Sequence, residues 1–88
     1  MALNKMNLYV KNINHKIADH ELAKLFSSFG IVVSARIVRD DFSGIGKGFG
    51  FVEMANTKAA LQAIDELHET TFGNRYISVS VANYEQQG

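Results

Sequence analysis

Apolar and polar residues alternate through "MNLYVKNI", where Leu8 and Val10 are set against Tyr9 and Lys11, a period of two that predicts a strand. From Asp19 to Phe29 the period lengthens. Leu22, Leu25, Phe26 and Phe29 recur at the spacing of one helix face, with Asp19 as N-cap and Gly30 as the left-handed residue that closes the helix. "VVSARIVRD" is rich in β-branched residues, "DFSGIG" reads as a flexible turn, and "KGFGFVEM" follows as the second arm of an antiparallel hairpin. Helical spacing returns between Thr57 and Leu67 at Ala60, Ala63, Ile64 and Leu67, with Asn56 or Thr57 as cap. "HETTFGNRY" reads as a turn region, with Asn74 suited to a left-handed conformation. The last element is "YISVSVA", in which Ile77, Val79 and Val81 alternate with Tyr76, Ser78 and Ser80.

The predicted order is therefore β-α-β-β-α-β. Right-handed crossovers in that order give an α+β, ferredoxin-like sandwich, a four-stranded antiparallel sheet with both helices on one face. The other face is left bare, and strand parity says which residues occupy it. Leu8 and Val10, Ala35 and Ile37, Val52 and Met54, and Ile77, Val79 and Val81 form the inward sets. Phe49 and Phe51 share parity with Lys47 and Glu53, while Gly48 and Gly50 fall inward, where a missing side chain would let a helix approach closely. The bare face thus carries Tyr9, Phe49 and Phe51, bordered by Lys11, Arg36, Arg39 and Lys47 and by Ser78 and Ser80. Leaving such rings in water forgoes about 1.5 to 3 kcal/mol of burial apiece. An exposed apolar cluster of this kind marks a binding surface, and flat rings beside cations suit stacked bases and their phosphates.

Composition narrows the reading. The 88 residues suffice for one domain over 1–88, with a core about 6–83 and a loose tail at 84–88, and 47% hydrophobic against 20% charged residues fits a globular chain. No apolar run approaches the roughly 18 to 20 residues of a membrane span, no secretory leader opens the chain, and cysteine is absent, so an intracellular, cytoplasmic protein is expected. Nine basic residues balance nine acidic ones. Bulk attraction to a polyanion is therefore weak, and any such binding must come from local placement of charge.

"LYVKNI" (Leu8 to Ile13) and "KGFGFVEM" (Lys47 to Met54) resemble the two ribonucleoprotein motifs of the RNA recognition motif family, and the likeness extends from about Leu8 to Ala82. The chain is similar to small stand-alone members of that family. The resemblance implies a non-catalytic single-stranded RNA binder, with a base stacked on Tyr9, a second on Phe51, sugars against Phe49 and a phosphate paired with Lys47. It implies that Lys11, Arg36, Val38 and Ser78 tune base preference, and that Ser80, Asn83 and Tyr84 add hydrogen bonds or a further stacking surface. A footprint of about two to four nucleotides and tolerance of sequence follow, while the even charge balance predicts modest affinity and a shallow salt dependence. Single-stranded DNA is admitted as well, because stacking does not read the 2′-hydroxyl. No cofactor, metal or membrane is implied. Met54 departs from the family's usual aromatic, but on the inward side, where it alters packing only.

Two other readings compete. The same aromatic face could serve a protein partner or a second copy of this chain, which the even charge balance favours. An acylphosphatase-type enzyme on the same fold would need an arginine in the first loop, and "NINHKIAD" has none. "GIGKGFG" lacks the spacing and the Ser or Thr of a nucleotide-binding phosphate loop, and His15, His20 and His68 show no metal-ligand spacing. The histidines read as surface residues.

Overall fold

The computed structural model describes residues 4–82. Its elements are β1 (Met6–Lys11), α1 (Asp19–Ser27), β2 (Val32–Arg39), β3 (Gly46–Met54), α2 (Thr57–Leu67), β4 (Thr70–Phe72) and β5 (Arg75–Val81). The strands make an antiparallel sheet in the order β2-β3-β1-β5-β4. Helices α1 and α2 both pack on one face, so the ferredoxin-like sandwich expected from the alternation of periods is the architecture observed.

The sheet has five strands instead of four. "HETTFGNRY" contains the short strand β4, which turns back onto β5 with Phe72 opposite Arg75. The two residues between them, Gly73 at φ 59° and Asn74 at φ 67°, both adopt the left-handed conformation that matches the twist of a tight hairpin. Turn residues were legible in this stretch. The pairing of its flanks was not, because three residues are too few to show a period.

The inward sets meet the helices as expected. Leu8, Val10, Val52 and Met54 from the central strands and Leu22 and Phe26 from α1 are completely buried, with Ala60 and Ala63 of α2 above them. Val81 departs from this pattern. Ile77 and Val79 are 1% and 2% exposed, but Val81, the last residue of the strand, is 45% exposed because burial falls off at the end of the element.

Helix termini differ from expectation in an informative way. The N-cap of α1 is Ala18, whose N–H donates to Glu21 Oε1 at 2.8 Å, half of a capping box. Asp19, expected as the cap, instead accepts a hydrogen bond from the Ile37 N–H at 2.9 Å and faces Arg39 Nη2 at 3.4 Å. β2 is an outer strand, so this carboxylate satisfies an edge N–H that has no strand beside it. At the other end α1 stops at Ser28 in a right-handed conformation. Gly30 does not cap the helix but allows a close approach, since a Cβ there would lie 2.7 Å from that of Ala59. Asn56 caps α2 as expected, accepting from the Ala59 N–H at 2.8 Å.

Candidate functional site

β3 lies between β2 and β1, and β1 lies between β3 and β5, so the register alone assembles the open face. Arg36 stands opposite Phe51, Phe51 opposite Tyr9, and Tyr9 opposite Ser80. In the next row Phe49 faces Lys11, and Lys11 faces Ser78. Tyr9 and Phe51 have ring centroids 5.4 Å apart and planes inclined by 28°, while Phe49 stands nearly perpendicular to Phe51 at 6.3 Å and edge-on to Tyr9 at 5.9 Å. The three rings support one another and remain half-buried on a face that no helix covers. They form a flat platform flanked by a third ring at right angles.

Backbone sterics in β3 make this arrangement possible. A Cβ at Gly50 would sit 2.6 Å from the Arg36 carbonyl oxygen and 3.0 Å from Ile37 Cα. The glycine therefore lets the β2 backbone, not a helix, lie against β3, which corrects the expectation for this residue. Gly48 adopts φ 93°, and the Ile13 N–H donates to its carbonyl at 2.8 Å, tying the end of β1 to β3.

Lys11, Arg36 and Lys47 border the platform, are exposed, and have no carboxylate within ion-pair distance among the described residues. Arg39, expected beside them, is committed elsewhere: its Nη2 lies 3.5 Å from the Ile17 carbonyl oxygen as well as near Asp19. A register shift between Ile37 and Arg39 turns the strand there and contains Val38, which is half-buried. Ser78 and Ser80 lie half-buried on β5. Asn83 and Tyr84 lie outside the described residues.

The β2–β3 loop beside Lys47 is shaped by one carboxylate. Asp40 Oδ1 accepts the backbone N–H groups of Phe42 at 2.9 Å and Ser43 at 3.0 Å. The Ser43 and Phe42 N–H groups hold its pKa below the ordinary aspartate value, with a smaller contribution from the charge of Lys47.

Two hollows flank the rings. One is lined by Asn7, Ser34, Arg36, Phe51 and Glu53. The other, about 530 Å³, is lined by Lys11, His15, Lys47 and Arg75 around Tyr9, Phe49 and Asn12. Asn12, His15 and Arg75 were not expected at the site. Arg75 has inward parity, and only its position at the very start of β5 frees its side chain to reach Asn12; His15 is brought in by the path of the β1–α1 loop. Tyr76, exposed with the parity of Ser78 and Ser80, adds another ring toward the β4 side.

The RNA recognition motif model matches residues 8–78. The chain belongs to this family. Over 82 residues it is 38% identical to the RNA-binding protein BRN1 of Arabidopsis thaliana, and over 80 residues it is 36% identical to polyadenylate-binding protein 2 of the same plant. The matches cover 93% and 91% of this chain but only 19% and 13% of the relatives, so the chain spans less than a fifth of their length. Among solved structures it is similar to the RNA-binding protein PG1, with 40% identity and a TM-score of 0.85, covering 88% of this chain and 93% of that one. A Sxl-lethal protein–RNA complex shares 31% identity and a TM-score of 0.85 over 91% of this chain and 48% of that one. As an RNA recognition motif, the chain has its two family motifs on β1 and β3, the adjacent central strands of the sheet.

Proposed function

We propose that this RNA recognition motif binds single-stranded RNA on the open face of its sheet, without catalysis. The observation that carries the reading is the Tyr9–Phe51 pair, two near-parallel rings side by side on adjacent strands with no helix over them. Successive bases stack on Tyr9 and Phe51, Phe49 packs against the sugars between them, and Lys47 meets a phosphate. Lys11, Arg36, Val38, Ser78 and Ser80 surround the bases and adjust preference among them. Similarity to the RNA-binding proteins BRN1 and PG1 and to the Sxl-lethal protein–RNA complex supports the same assignment. Stacking reads no 2′-hydroxyl, so the rings accept single-stranded DNA, and preference for RNA rests on the polar groups around them.

The direct test is an NMR titration of the isotopically labelled protein with a short random-sequence RNA pool. Shifts are expected at Tyr9, Lys11, Lys47, Phe49, Phe51 and along β5. A spectrum unmoved by RNA at any concentration would sink the proposal, and a concentration series in light scattering would then ask whether a second copy of the chain covers the face.

A further inference from the structure

The two ends of the open face differ in charge. At the Phe51 end the hollow pairs Arg36 with Glu53, so a cation and a carboxylate offset each other. At the Phe49 end the lining carries Lys11, Lys47, Arg75 and His15 and no carboxylate. In the neighbouring β2–β3 loop, Asp40 turns its Oδ1 to the Phe42 and Ser43 N–H groups and makes no ion pair with Lys47. The cations at this end therefore have no acidic partner inside the hollow.

Arg75 is also held in place. Its Nε donates to Asn12 Oδ1 at 3.0 Å and its Nη2 donates to the same oxygen, while Asn12 Nδ2 donates to the Tyr76 carbonyl at 2.8 Å. The guanidinium fork is clamped on one side with N–H groups left over on the other, the arrangement that suits a phosphate and that costs little side-chain entropy on binding. Asn12 reaches both partners from a left-handed backbone, φ 63°, a conformation that asparagine tolerates better than most side chains. A left-handed residue whose carboxamide oxygen is spent on an exposed arginine, while its nitrogen anchors it to the Tyr76 carbonyl, points to a use for that arginine.

We infer that Arg75, clamped by Asn12, is a second phosphate-binding residue of this chain: with Lys47 and Lys11 it holds a backbone phosphate beyond the stacked bases, at the Phe49 end of the face. The inference rests on the open-face reading of RNA binding and adds to it a phosphate subsite that the family motifs do not contain. Because the opposite end is charge-balanced, this subsite also fixes which end of the face takes the more strongly held phosphate.

Fluorescence anisotropy with an unphosphorylated random-sequence RNA decamer, across a series of salt concentrations, tests it. Arg75→Gln is expected to weaken binding about ten-fold, as for loss of one charge-assisted contact. It should also make the slope of log affinity against log salt shallower by about 0.7, the value for one phosphate on a single strand. Asn12→Gly keeps the left-handed backbone and releases the clamp, so it should weaken binding while leaving the slope nearly unchanged, because the charge of Arg75 remains. A slope in Arg75→Gln equal to that of the wild type, with its circular dichroism unchanged, would overturn the inference alone. Absence of binding by the wild-type protein would overturn the open-face reading and the inference together. If the slope change appears only with a 5′-phosphorylated decamer, the subsite holds a chain-end phosphate and not an internal link.

Discussion

The rings of the open face and the residues of the core are chemically alike, and parity is what assigns them opposite work. Phe51 stands half-exposed opposite Tyr9, whereas Phe26 is completely buried under the sheet. Phe51→Ala is expected to remove about 1 to 3 kcal/mol of RNA binding, the worth of one base stack, and to leave the melting temperature nearly unchanged. Phe26→Ala should cost about 3 to 5 kcal/mol of stability in denaturant unfolding, since it opens a cavity between α1 and the sheet. The contrast checks the parity argument directly: if Phe51→Ala unfolded the protein, its ring would belong to the core.

Within elements, the glycine and aspartate of the β2–β3 hairpin set the geometry on which the site depends. Gly50→Ala would drive a methyl group to 2.6 Å from the Arg36 carbonyl, so β2 and β3 must separate. Both stability and RNA affinity are expected to fall, because Arg36 and Phe51 are cross-strand partners at that point. Asp40 provides a pH readout of the same hairpin. Its folded-state pKa lies below the unfolded value, so the stabilisation it gives the loop is fully present above the unfolded pKa and is lost as pH falls through the folded one. In an NMR pH titration the amide signals of Phe42 and Ser43 should therefore move together, with a midpoint below that of an ordinary aspartate, and Asp40→Asn should abolish the shared transition.

For the whole molecule, the balance of nine basic and nine acidic residues removes long-range attraction, leaving the local cations of the open face to meet phosphates. With Lys11, Arg36, Lys47 and Arg75 as the contacting set, the slope of log affinity against log salt should be about −3 at most, from about 0.7 per phosphate on a single strand. A markedly steeper slope would mean that RNA runs beyond the sheet face. The rigid platform is a product of the entire fold, because the rings sit on central strands whose other side is the core.

Much of this was legible in the chain itself. Periods of two and of three to four residues marked every strand but β4, and both helices, because a sheet with one covered face and helices with one buried stripe impose those periods on the sequence. The same alternation places Tyr9, Phe49 and Phe51 away from the core. The three-residue strand β4, the role of Asp19 at the β2 edge, the loss of Arg39 from the open face and the clamp of Asn12 on Arg75 were decided only in three dimensions. Each depends on residues roughly 20 to 60 positions apart, or on an element too short to carry a period, and periodicity holds information only about neighbours along the chain. Periodicity along the chain is thus enough to set the layers and their faces, whereas long-range packing selects which polar groups are spent on one another and which remain to meet a ligand.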